Sequence, residues 1–513
     1  MTSKLEIMNT TIRNIICALC VVFSLTACDD WLDVRGENVQ KEQDQYEAYK
    51  GFRDALIGCY MTMGSRDIYG QKLTMTDVEN LASLWVLPSS NAKTSVPLKY
   101  SMTYHDYSMD EAIAAIKSIY GGLFTTISSA NVLIKNIEEK GNNVQDNQAR
   151  DVILGEAYAI RAYCQLDLLR LFGQLPTGAT KQVKLPYSYT TGIDEMPSYF
   201  GYSEYVANLK KDIDKAESLL KNNDPIFEYT FNQLNNAPND VSDLYYYRQA
   251  RLNYWAVRAL HARMSLYIGD NSEAYTIAKD IIENGPVTLS GVSDLRNGYN
   301  GLPSECLFYM SKYDLNDYAS NILRGGAENI NVNAADYAIS QDMLNDLYAS
   351  IPGSTASHNR YLNEWNRMSL NNANVPTPTL KKYWYDASKY PASGVGNAST
   401  LMVKLQIIPM LRLSEVYLIA METSNSLEEV QQLYDTYMSN CAFTLYEPFT
   451  SLEQARGELV NEYRREFFGE GQMFYTYKRK AAKSMLWNNE EIKEEDYILP
   501  LPATEYDPSL IKK

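Results

Sequence analysis

Most of the chain carries apolar residues every third or fourth position, the pattern of helices with one buried face. Asp110–Lys140 holds that period throughout and ends on a lysine, which suits the negative end of a long helix. Ala149–Gly173 predicts a second helix, with Gly173 as its cap and Pro176 just beyond. Tyr202–Asn222 predicts a third. Arg251–Pro286 predicts two helices joined at Gly269-Asp270, and Pro409–Ser424 and Ser451–Ala481 predict further strong helices. The period fails in Leu84–Tyr107 and again from Val287 to about Gly396, the second stretch rich in Asn, Gly, Pro, Ser and aromatics. Within it Glu305–Tyr313 reads as a short strand. Loops of this length in a compact domain are usually functional or disordered.

One pair of helices carries a repeat signature. Ala262, Gly269, Ala274 and Pro286 stand near the spacings of a tetratricopeptide unit, although Ala278 replaces the aromatic residue that follows Ala274 in that unit. A single unit cannot bury its own face, so the other helices must supply its neighbours.

The amino-terminal pattern is different. Ile15–Leu25 is an uncharged apolar run behind Lys4 and Arg13. A membrane-spanning helix needs about 20 apolar residues, so this shorter run fits the core of a signal peptide. Leu25-Thr26-Ala27-Cys28 follows at once and resembles a bacterial lipobox, in which the leader is cut before a cysteine whose thiol takes a diacylglycerol. Several acyl chains hold a protein firmly where one is marginal. The chain is therefore divided into a lipoprotein signal peptide (1–27), a tether lipidated at Cys28 (28–45) and a single domain (46–513). In that domain helical repeats occupy about 46–286 and 405–481, and loop-rich insertions occupy about 84–107 and 287–396.

Charge and composition narrow the function. A net charge of −16 opposes a nucleic-acid footprint. Tyrosine is in excess, 41 against 13 Phe and 6 Trp, and its apolar ring with a polar tip suits wet binding surfaces. Cys59, Cys164, Cys306 and Cys441 are widely spaced, which predicts buried free thiols in place of a metal site or disulfide framework. The three histidines, His105, His261 and His358, fall in no metal-ligand spacing, and no nucleophile elbow, phosphate loop or dinucleotide fingerprint is present. Tyr313–Tyr318 offers Asp314, Asn316 and Asp317 to a calcium ion but lacks a regular ligand ladder, so it reads as a solvated polar turn. No catalytic residue and no cofactor is expected.

Several segments together resemble the SusD/RagB family of Bacteroidetes outer-membrane lipoproteins. They are Leu154–Pro176, Asp212–Leu220, Ser304–Tyr313, Leu411–Thr423, Asn461–Ala481 and Leu499–Glu505, with the lipobox and Asp29-Asp30-Trp31-Leu32-Asp33 in front. The sequence departs from the family near the end of Asn461–Ala481, where Thr476 and Tyr477 replace Asp and Leu before Lys478 and Arg479. The resemblance implies a mainly α fold: a tetratricopeptide-like core of four degenerate units, long irregular insertions and a few short strands. It implies that Arg161, Asp167, Arg170, Arg412, Glu415, Arg465 and Glu466 hold helices together. It also implies surface exposure, for which Asp29 and Asp30 resemble an export signal, and a role capping a SusC-like TonB-dependent transporter while binding oligosaccharide or, in some members, peptide. A lipoprotein glycosidase and a protein-binding scaffold are the alternatives.

In such a protein a sugar's C–H face packs on an aromatic ring and its hydroxyls need polar partners, several rings together being required for affinity. The first insertion offers Trp85, Tyr104 and Tyr107, and the second Tyr299, Tyr313, Tyr318, Trp365 and Trp384. The candidate ligand contacts are Trp85, Tyr104, Tyr313 and Tyr318, with Asn321 and Arg324 as polar partners.

Overall fold

The computed structural model describes residues 45–506, apart from 89–90, 193–194, 324–330, 334 and 386–399. The leader, Cys28 and nearly all of the tether therefore lie outside the described residues.

Ten helices form the frame. They are α1 (Tyr49–Met63), α2 (Asp110–Lys140), α3 (Asn147–Phe172), α4 (Tyr202–Lys221), α5 (Tyr254–Ile268), α6 (Asn271–Asn284), α7 (Leu413–Thr423), α8 (Leu427–Asn440), α9 (Leu452–Glu466) and α10 (Met473–Arg479). From α1 to α8 each packs against the next, so the core is a row of four helix pairs. Local chemistry sets the boundaries. Asp146 caps α3 by accepting from the backbone N–H groups of Gln148 and Ala149. Gly269, at φ +86°, ends α5, and Asp270 caps α6 through the N–H of Glu273. Helix α3 is buried on almost every face, with α1, α2 and α4 around it. Gly155 lets α4 come this close, since a β-carbon there would stand 2.9 Å from Leu220 Cγ.

Two expected helices are corrected. Pro409–Ser424 begins as a strand: Ile407–Arg412 pairs antiparallel with Cys306–Ser311, the strand expected within Glu305–Tyr313, and the helix starts only at Leu413. Every residue of Ile407–Arg412 is buried, so its hydrophobicity carries no period to tell strand from helix. Ser451–Ala481 is two helices, α9 and α10. Between them Gly469 and Gly471 take φ of +77° and +73°, and a β-carbon on Gly471 would lie 2.1 Å from Leu73 O. The stretches read as aperiodic also contain short helices, among them Pro97–Thr103, Leu315–Leu323 and Gln341–Leu347, which are too brief for a periodic signal.

The ionic residues bind elements together as the resemblance implied. Arg161 on α3 pairs with Asp212 on α4, and Arg263 on α5 pairs with Glu415 on α7. Arg412 meets Glu305, Glu466 and Glu470 at 2.6, 2.5 and 2.7 Å, all of them buried. Arg170 holds Asp167 within α3 and lies 3.9 Å from the centre of the Tyr475 ring on α10. Arg465 holds Glu458 and Glu462 and donates to Leu347 O. Where Thr476 and Tyr477 depart from the family pattern, Arg479 grips both oxygens of Glu422 and Lys478 donates to Gly173 O. The four cysteines of the described residues are buried and free. No described helix is long and apolar enough to cross a membrane.

Candidate functional site

The two insertions meet at Trp85. Its indole N–H donates to Met75 O at 2.9 Å, and its ring stands edge-on to Tyr337 and Phe468, at centroid distances of 5.8 and 5.0 Å. The next residue, Val86, donates its N–H to Ala338 O. Tyr337 thus comes from the second insertion, Phe468 from the turn after α9, and Trp85 joins them. The side chain is 2% exposed. This corrects Trp85 as a ligand contact, because protein atoms already cover the ring. Tyr318 is corrected for the same reason. It is 5% exposed, donates its hydroxyl to Gly70 O at 2.7 Å, and is covered by the Arg66 guanidinium 4.0 Å from its centroid. Trp365 is likewise buried, against Phe468.

The remaining candidates stand at the surface. Tyr313 is 89% exposed. Its neighbour Asp314 is paired with Arg66 at 3.0 Å, and helix Leu315–Leu323 follows, so Tyr313–Tyr318 forms a turn entering a helix. Asn321 is exposed on that helix and donates to Asp317 O within it. Arg324 lies outside the described residues. Tyr299 lies under the Lys404 ammonium, and Trp384 is half-buried. Among the described residues no group of three His, Cys, Asp or Glu side chains is placed to hold a metal ion.

Tyr104 lines a formed cleft. It follows helix Pro97–Thr103 at the position one turn after Tyr100, and the two rings lie 4.8 Å apart. The cleft measures about 560 Å³, and its opposite wall comes from Glu490, Glu491, Lys493 and Asp496 near the chain's end. The two walls are held in register. Tyr107 donates its hydroxyl to Asp496 O, and Asn488 donates to Ser83 Oγ and Thr103 O. His105, at φ +54°, forms part of the floor, its Nε2 lying 3.0 Å from Leu81 O. Burial pulls its pKa below the ordinary histidine value, so the ring is neutral at neutral pH. The Lys93 ammonium lies 5.7 Å from the Tyr100 centroid. The arrangement sets a pair of aromatic rings beside carboxylate acceptors and ammonium donors. It suits a molecule with one apolar face and a polar edge.

Sequence reasoning missed Tyr100 and the wall around residues 490–496. The spacing of Tyr100 and Tyr104 is itself a helical signal, hidden because the segment was read as a loop. The carboxyl-terminal wall left no local signal, since only the fold brings it alongside.

The SusD family model matches residues 224–509, more than half of the chain. The chain belongs to the SusD family. SusD-like protein P25 of Formosa agariphila is 26% identical over 172 residues, which are 32% of this chain and 31% of that protein, so the chain spans about a third of that curated relative in the match. Solved SusD structures share the fold across nearly the whole chain. A SusD superfamily protein from Bacteroides thetaiotaomicron superposes with a TM-score of 0.63 at 21% identity, covering 90% of this chain and 98% of its own. A laminarin-binding SusD-like protein gives 0.63 at 16% identity, covering 90% and 97%. Surface glycan-binding protein A from the same Bacteroides species gives 0.62 at 14% identity, covering 91% and 98%. The SusD/RagB resemblance and the helical-repeat fold expected from the sequence are both borne out.

Proposed function

We propose that this SusD-family protein is a cell-surface glycan-binding subunit that captures oligosaccharide or polysaccharide and delivers it to a SusC-like TonB-dependent outer-membrane transporter. In this reading lipid on Cys28 holds it at the outer membrane, surface-exposed, and cleavage of the glycan belongs to separate enzymes. The carrying observation is the Tyr100–Tyr104 ring pair over a cleft rimmed by Glu490, Glu491 and Lys493. Those rings take the C–H face of a pyranose, while the carboxylates accept from its hydroxyls and the ammonium donates to them. The fold shared with a laminarin-binding protein and a surface glycan-binding protein supports the cargo class.

Affinity electrophoresis through gels holding laminarin, amylopectin, xylan, mannan or galactan tests this. At least one polysaccharide should retard the protein, and Tyr104→Ala should weaken that retention by about tenfold, some 1.4 kcal/mol, without lowering thermal stability. Retention by none of them, together with binding to peptides, would move the cargo to peptide. Affinity purification of the lipidated protein from solubilised membranes should recover a large TonB-dependent barrel, and its consistent recovery alone would remove the transporter from the proposal.

A further inference from the structure

A second cleft, of about 710 Å³, opens over α2, α3 and α4 and shares no lining residue with the first. At its floor Arg161 is held by three hydrogen bonds. It grips both oxygens of Asp212 at 2.7 and 2.6 Å and donates to Asn131 Oδ1 at 2.9 Å. Rings flank the guanidinium, with Tyr158 5.0 Å and Tyr189 4.7 Å from its carbon. These bonds use three of the five guanidinium N–H groups and lock the side chain in place, so that it fixes the ring of Tyr189. That ring is 46% exposed. Partial burial pushes its hydroxyl up to about 12, so it stays protonated at neutral pH.

The polar groups around Tyr189 are of both signs. Lys211 and Lys215 on α4 and Lys135 on α2 are exposed, and none of the three forms an ion pair among the described residues. Facing them are Glu138, which accepts from the Tyr158 hydroxyl at 2.8 Å, and Glu195, which accepts from the N–H groups of Thr191 and Gly192. Glu139 is a third carboxylate on that side, so among the described residues three ammonium groups stand against three carboxylates, beside the mutually paired Arg161 and Asp212. A polyanion gains nothing from such a balance, whereas an uncharged polyol finds donors and acceptors around a ring face.

We propose that this cleft is a second saccharide site, in which the Tyr189 ring packs against a neutral sugar while Lys211, Lys215 and Glu195 meet its hydroxyls. The inference rests on the reading of the protein as glycan-binding. Two sites on one chain would engage separate stretches of a polysaccharide and raise its apparent affinity without any new contact.

Calorimetric titration of the purified protein with neutral hexasaccharides of laminarin, amylose, xylan, mannan and galactan, each in turn, tests it. The hexasaccharide that binds should occupy two sites per chain. Tyr189→Ala, and separately Lys211→Gln with Lys215→Gln, should weaken one site by about tenfold and leave the other. The lysine pair is exposed and forms no ion pair among the described residues, so that variant keeps the test valid if Tyr189→Ala folds poorly. A single site that is lost in Tyr104→Ala and unchanged in the Tyr189 and lysine variants overturns the second site and leaves the proposed function standing. Binding of none of the hexasaccharides overturns both. Binding lost in Tyr189→Ala but intact in Tyr104→Ala supports the second site against the first.

Discussion

Glu79 shows how one buried side chain ties distant parts of the chain. Its carboxyl oxygens accept from the N–H groups of Gly469 and Gly471 at 3.1 and 2.6 Å. Burial still outweighs these bonds and raises its pKa from 4.5 to about 8. The folded state therefore holds this proton where the unfolded chain has released it. The stability contributed is present in full below about pH 4.5 and is lost as pH rises to about 8. The advantage of wild type over Glu79→Gln should thus fall by up to about 1.4 kcal/mol per pH unit across that window, as read from guanidinium denaturation at several pH values. An advantage that stays flat or grows with pH would refute the assignment. Such residues are hard to read in sequence. Trp85 and Tyr104 are both aromatic residues of one insertion, yet only the fold buries the first and leaves the second at a cleft.

Among the elements, long helices were the most legible. Asp110–Lys140 has the same bounds in sequence pattern and structure, because an amphipathic helix of that length repeats its signal many times. Ile407–Arg412 reads as helix in sequence because burial on all sides erases its period. The break between α9 and α10 was also missed, although Gly469 and Gly471 mark it, because the apolar pattern runs on past them. That break is required by space as much as by φ. Gly471→Ala should lower stability by more than about 2 kcal/mol, from strain at positive φ and the clash with Leu73 O. Gly457, exposed within α9 with nothing within 4 Å of an added β-carbon, is the matched control. Its replacement by Ala should stabilise by about 0.5–1 kcal/mol. Denaturant melts of the two variants compare them directly, and equal effects would mean that the turn is not constrained.

At the scale of the whole molecule the order of helices and insertions was readable, and the identity of the cleft walls was not. Residues near 100 and near 490 share no local pattern, and the hydrogen bonds that join them, from Tyr107 to Asp496 O and from Asn488 to Thr103 O, span most of the chain. The thiols report on this whole. Cys59, Cys164, Cys306 and Cys441 are each at most 1% exposed, and burial pushes Cys59 and Cys441 up to about 12. A thiol reagent such as dithionitrobenzoate should leave all four untouched in the native protein and modify them together on unfolding. Early reaction of Cys441 alone would show that the α8 region opens by itself.

The join at Trp85 has a consequence for how cargo preference can change. Because one ring touches Tyr337 from the second insertion and Phe468 from the turn after α9, neither insertion is a detachable cassette. Transplanting residues 84–107 from a relative without matching those two partners should give a chimera that melts early and aggregates. Exchanging only outward positions such as Tyr100 and Tyr104 should give a stable protein with altered taste for its cargo. New diets are then reached by repainting the rim, while the keystone beneath it stays in place.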